Sequence, residues 1–128
     1  LSEINYGAAE GLTFNELKDR HPEIIQEWSK NGDPNFPDGG ESTSDVLDRL
    51  QYFINELEGN KSKSILVVTH NVVMRCLIGK AHNIPMKNWH HLNIPHSEPL
   101  EFKFIDQRIY PNVPRKILRT IFKKLLKI

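Results

Sequence analysis

Apolar positions along this chain follow two periods, one of strands and one of helices. Ile65, Leu66, Val67 and Val68 form a short, largely β-branched run between Ser64 and Thr69, a pattern that predicts a strand buried on both faces. The run ends on His70 and passes at once into a helical segment containing Val72, Val73, Cys76 and Leu77. Asn71 is the predicted N-cap of that helix and Gly79 its stop. Upstream, Thr13 and Glu16 have the spacing of a capping box. The helix they open is expected to break at His21-Pro22 and to resume through Ile24, Ile25 and Trp28. The Pro-, Gly- and Asp-rich residues 31–40 read as a loop. Over residues 44–57 a 3.6-residue period places Val46, Leu47, Leu50, Phe53, Ile54 and Leu57 on one face, with Gly59 beyond. Pro85 opens a short helical turn over residues 86–92, and residues 100–105 read as a further strand. Helix, strand, helix, strand is the pattern of an α/β fold.

That pattern gives His70 a chemical setting. It stands at the C-terminal end of a predicted strand and beside a helix N-terminus, where α/β sheets bind ligands and where free N–H groups favour an anion. Composition narrows the class. At 128 residues, 38% apolar and 26% charged, the chain has the makeup of one folded domain. No apolar run approaches the roughly 20 residues that cross a bilayer, and the opening Leu1-Ser2-Glu3 does not read as a secretory signal. The chain starts without methionine on a segment that looks functional, so further sequence ahead of Leu1 is expected. One cysteine, Cys76, allows no intrachain disulfide; it suits a reducing, cytoplasmic setting and a place in the core.

Charge divides the chain in two. Residues 1–106 carry ten basic and sixteen acidic side chains, whereas from Gln107 onward there are seven basic residues and no acid. The expected organisation is a partial domain over 1–106 and a basic amphipathic helix or tail over 107–128. The acidic body argues against nucleic acid as a partner. Within residues 114–128, Ile117, Leu118, Ile121, Phe122, Leu125 and Leu126 share a face. The first expectation is that this face packs on the domain; the alternative is weak contact of the segment with an anionic membrane or an acidic partner.

Three segments combine groups suited to phosphoryl chemistry: Leu1 to Leu12, with Glu3, Tyr6 and Glu10 among glycines; Pro37-Asp38-Gly39-Gly40-Glu41-Ser42 with Arg49; and Val68-Thr69-His70-Asn71 with Arg75. A histidine and loop carboxylates are the parts of general acid–base assistance to phosphoryl transfer. His82, His90, His91 and His96 lack companion ligands at metal-binding spacing, so no metal is expected.

In order and spacing, L-x-E-x-x-x-G-x-x-E-G, P-x-G-G-E-S…R, V-V-T-H-N…R and L-N-I-P resemble the C-terminal part of the histidine phosphatase (phosphoglycerate mutase-like) superfamily, from Leu1 to about Ile105. The resemblance implies a three-layer α/β/α fold with a mostly parallel sheet, incomplete at the N-terminus. It also implies hydrolysis of a phosphate monoester through a phosphohistidine, with a small phosphorylated metabolite as substrate and no cofactor. By position, His70 resembles the histidine that holds the phosphoryl oxygens and Glu3 the acid that protonates the leaving group. Tyr6 resembles a substrate-contacting tyrosine, and the backbone N–H of Asn71 is placed to assist phosphate binding. Arg49 and Arg75 read as ion-pair partners, and Glu10 and Glu41 as second choices for the acid. The family's nucleophilic Arg-His-Gly is not found in these 128 residues, so the nucleophile is expected outside them and the chain alone is expected to be inactive. The alternatives are a non-catalytic phosphate- or partner-binding remnant, or a mutase-type phosphotransferase. Ile4 and Asn5 stand where mutases carry arginine and histidine, which favours the phosphatase. The sequence does not speak to oligomeric state.

Overall fold

The computed structural model describes residues 1–62 and 64–127, Lys127 by its backbone alone. Its first helix, α1 (Phe14–Arg20), starts as the sequence predicts. The Glu16 amide donates to Thr13 Oγ1 and the Thr13 amide donates to Glu16 Oε2. The Thr13 amide and hydroxyl, both donating to Glu16 Oε2, hold that carboxyl below the usual glutamate range. His21 interrupts the helical dihedrals, and α2 (Pro22–Asn31) begins with proline in its first turn, where a missing N–H costs nothing. Gly32 ends α2 in the left-handed conformation, and a Cβ there would run into the Met86 backbone. Ser42 and Asp45 form a second capping box ahead of α3 (Thr43–Glu56), which buries Val46, Leu50 and Ile54. Helix α4 (Asn71–Ala81) packs on α3 and buries Val72, Val73, Cys76 and Ile78.

The strand expected before α4 is not formed. Residues 64–69 have no ladder, and Leu66 and Val68 are 88% and 85% exposed. Strand formation requires a neighbouring backbone as well as β-branched side chains, and no described residue supplies one. The sheet that is present has two antiparallel strands, β1 (Phe102–Ile105) and β2 (Arg108–Pro111), paired from Phe102↔Pro111 to Ile105↔Arg108. The fold is therefore mixed α and β, and the mostly parallel three-layer sheet is not assembled by the described residues. The change of charge at Gln107 falls inside the turn of this hairpin, where Asp106 and Gln107 both take positive φ.

Two further expectations are corrected at α4. Asn71 is the first helical residue and His70 the cap, in extended conformation (φ −123°, ψ 173°) and without a side-chain capping bond. Gly79 does not stop the helix, which runs on to Ala81. Instead it gives room to the Trp89 indole, which donates through Nε1 to the Ile84 carbonyl at 2.7 Å. Helix α5 (Arg115–Ile121) is followed by turns and a 3-10 segment, Leu125–Lys127. Ile121 is fully buried, and Ile117, Phe122 and Leu125 pack against the core, whereas Leu126 of the expected face is 79% exposed and the expected single helix stops at Ile121. Ile128, the end of the predicted tail helix, lies outside the described residues.

A Cβ at Gly79 would overlap Trp89, whereas one at Gly59 would meet open space. Gly79→Ala is expected to lower stability by about 1–3 kcal/mol through overpacking. Gly59→Ala is expected to change it by less than about 1 kcal/mol. Urea midpoints of the two variants check the contrast.

Candidate functional site

The site is built from the N-terminal segment upward. Arg49, on the exposed-to-buried boundary of α3, makes four hydrogen bonds. Its Nε donates to Glu41 Oε1 at 2.8 Å and its Nη2 to Glu41 Oε2 at 3.1 Å; Nη1 reaches the Ser2 carbonyl at 2.8 Å and Nη2 the Glu3 carbonyl at 3.1 Å. Glu41 completes the junction by accepting from the Asn5 amide at 2.9 Å and donating its own amide to the Asn5 carbonyl at 2.8 Å. The Arg49 guanidinium holds the Glu41 carboxyl below the usual glutamate range. Nearby, the Ala8 amide donates to the Pro37 carbonyl. Gly7 has φ +50° and no room for a Cβ against that same carbonyl, so glycine is required there. Ile4 is buried. The loop carrying Glu3 and Tyr6 is thereby fixed to α3 and to residues 37–41.

Glu3 lies across the first turn of α4. Both of its carboxylate oxygens accept from the Val72 amide, at 3.2 Å each, and Oε1 also accepts from the Ile4 amide at 3.0 Å. The carboxylate thus sits at the positive end of the α4 dipole, with His70 two residues before its partner. Thr69 Oγ1 donates to the Leu1 carbonyl at 2.7 Å. That bond ties the segment before α4 to the loop. His70 is exposed; its carbonyl accepts from the Met74 amide as the helix begins. Asn71 is half-buried in the first turn. Tyr6 stands edge-on to Phe36, centroids 5.2 Å apart, and Phe36 in turn meets Trp28 edge-on at 5.8 Å. Burial pushes the Tyr6 phenol above its ordinary value; the Glu3 carboxylate adds to the rise and Arg75 opposes it.

Arg75 is the group whose role the sequence did not reveal. Among the described residues it has no carboxylate within 4 Å; its Nε donates to the Leu92 carbonyl at 3.1 Å. Burial pulls its guanidinium down, and the fields of Tyr6 and Glu3 act against that. The ion-pair expectation for Arg75 is thus replaced by a half-buried cation facing Tyr6 and Glu3. Its position four residues after Asn71, one turn along the same helix face, was the available signal. Arg49 is the ion-pair partner expected. Glu10 and Glu41, the second choices for the acid, are engaged with the backbone amides of Tyr6 and Asn5. Cys76 is fully buried and burial pushes its thiol up to about 12, so it is inert. Glu3, Tyr6 and Arg75 thus gather at the N-terminal turn of α4, which His70 and Asn71 begin. A carboxyl, a phenol, a guanidinium and an imidazole at a helix N-terminus can bind an anion and exchange protons with it.

Comparison with known proteins identifies the family. The family model for the histidine phosphatase superfamily (branch 1) matches residues 1–110. Among curated proteins, the chain is 30% identical over 119 residues to a fructose-2,6-bisphosphatase of Saccharomyces cerevisiae, a match covering 89% of this chain and 26% of that protein. It is 32% identical over 95 residues to a 6-phosphofructo-2-kinase/fructose-2,6-bisphosphatase of Caenorhabditis elegans, covering 74% of this chain and 20% of the relative. A 6-phosphofructo-2-kinase 1 of Saccharomyces cerevisiae is 36% identical over 97 residues, covering 74% and 12%. The chain therefore spans about a quarter or less of the length of each of these relatives.

Arg49→Ala removes four bonds at once and leaves Glu41 without its cation. A loss of about 2–3 kcal/mol is expected, discounted from the sum of the bonds because the pair is partly solvated. Because the Glu41 carboxyl is held below its unfolded value, its contribution is present above that value, about 4.3, and is lost as pH falls through the folded one. Glu41→Gln is therefore expected to flatten the acid limb of the stability–pH curve. Thermal melts between about pH 3 and pH 7 check both variants.

Proposed function

This chain belongs to the histidine phosphatase superfamily, and on that premise we propose that it takes part in hydrolysing a phosphate monoester through a phosphohistidine, with the nucleophilic histidine supplied from outside these 128 residues. The observation that carries the reading is the Glu3 carboxylate bonded to the Val72 amide at the first turn of α4, next to His70. In this reading the His70 imidazole and the Asn71 N–H hold the phosphoryl oxygens. Arg75 and the α4 dipole offset their charge. The nucleophilic histidine forms a P–N bond as the ester P–O bond breaks, and protonated Glu3 gives its proton to the leaving oxygen. Water then attacks phosphorus and cleaves the P–N bond, while the Glu3 carboxylate takes the proton of that water. Tyr6 contacts the substrate from the wall it forms with Phe36.

The exposed residues 65–68 have a place in the same reading. They are apolar, largely β-branched, exposed and without a ladder, as a strand is before its neighbour in a parallel sheet is added. We assign that neighbour to the strand that brings the nucleophile, which would complete the three-layer fold. The names of the relatives favour a phosphatase over a mutase, and a phosphorylated sugar of the fructose 2,6-bisphosphate class as substrate.

A chimera tests the proposal: the preceding portion of the Saccharomyces cerevisiae fructose-2,6-bisphosphatase fused ahead of Leu1. It is expected to hydrolyse fructose 2,6-bisphosphate. Glu3→Gln and His70→Ala are each expected to lower kcat by about 100- to 1,000-fold, and the 128-residue chain alone to retain no acid-labile phosphate. Labelled phosphate trapped on the chain alone would refute the external nucleophile. An undiminished rate in the Glu3→Gln chimera would remove Glu3 from the chemistry.

A further inference from the structure

The apolar side of the C-terminal segment is already occupied. Ile121 is fully buried, its carbonyl accepts from the Asn93 amide at 3.0 Å, and the Phe122 ring meets His82 edge-on at 5.1 Å. That side cannot also lie in a bilayer. The opposite side is cationic: Arg115, Lys116, Arg119, Lys123 and Lys124 are all exposed. Among the described residues none of them has a carboxylate within 4 Å. Helical hydrogen bonding continues past α5, with the Phe122 amide on the Leu118 carbonyl and the Leu126 amide on the Phe122 carbonyl. Arg115 and Arg119 lie one turn apart on one face of α5, and Lys123 follows in the turn after it, so the three make one cationic ridge. Leu126, 79% exposed, follows in the next turn.

We propose that this ridge docks the protein on an anionic phospholipid surface. Its charges match acidic headgroups, and an exposed leucine close to the cations offers an apolar group that can sink between lipids. Two features favour a bilayer over an extended polyanion. Residues 1–106 carry sixteen acidic against ten basic side chains, a net negative charge that disfavours a long polyanion extending beyond the C-terminal segment. The leucine also has no use on a phosphate backbone. This surface is separate from the α4 site and does not rest on the proposed reaction.

Vesicle sedimentation of the 128-residue chain tests it, with phosphatidylcholine containing about one-third phosphatidylserine against pure phosphatidylcholine. Binding to the anionic vesicles alone is expected, with release near 0.5 M salt, where the Debye length falls to roughly 4 Å. The double variant Arg119→Ser/Lys123→Ser is expected to bind roughly 30-fold more weakly, at about fivefold per cation. Arg119→Lys/Lys123→Arg should keep its affinity, and Leu126→Ser should lose a smaller part. Unchanged circular dichroism would show that these exposed substitutions leave the fold intact. Equal binding to neutral vesicles would assign the association to the exposed residues 65–68 and overturn the proposal. Tight binding to an oligonucleotide or an acidic peptide without vesicle binding would overturn it as well.

Discussion

The Arg49–Glu41 pair is the constraint on which the candidate site depends. One guanidinium, held bidentately by Glu41, also grips the carbonyls of Ser2 and Glu3. The N-terminal loop is thereby fixed to the glycine-rich turn that leads into α3 and to α3 itself, at a residue 46 to 47 positions away in sequence. An arginine suits this task because its planar fork offers several donors in fixed directions, which a lysine does not. With the backbone of Glu3 immobilised, its carboxylate has a defined reach and finds the Val72 amide.

That contact sets the character of α4. A helix N-terminus leaves amides unsatisfied, and here the cap residue, His70, makes no side-chain capping bond. A carboxylate from another part of the chain satisfies one of them instead. Among the described residues the His70 ring makes no hydrogen bond, and the Glu3 carboxylate bonds two residues further along the chain. Arg75 offsets the charge of Glu3 one turn further on, and the Tyr6–Phe36–Trp28 aromatic contacts back the loop from below. The site thus consists of polar groups at the first turn of α4, backed by aromatic contacts.

Local signals were readable where the interacting residues are neighbours in sequence. The Thr13–Glu16 box, the break at His21-Pro22 and the α3 face of Val46, Leu50 and Ile54 were legible because each depends on spacings of a few residues. The segment before His70 was misread because a β-branched run states a preference for extended backbone, whereas a strand needs a partner. Gly79 was misread for a similar reason. Glycine can end a helix or admit a bulky neighbour, and the neighbour, Trp89, is ten residues away. The four motifs from Leu1 to Pro95 pointed to the family that the comparison with residues 1–110 establishes. The particular role of Arg75 was hidden, since whether an arginine pairs or stays free depends on which carboxylates fold to within reach.

The sequence by itself determined the helical segments and the cap of α1, the family, and the division between an acidic body and a basic C-terminal segment. Those properties follow from local spacing, motif order and charge counting. The tertiary structure decided that Glu41 braces Arg49 while Glu3 meets α4, and that residues 65–68 stay unpaired. It also decided that the apolar side of α5 is spent on the core while its cations face water. Each of these is a choice among partners far apart along the chain, and only the packed fold brings one partner within bonding distance and leaves the others out.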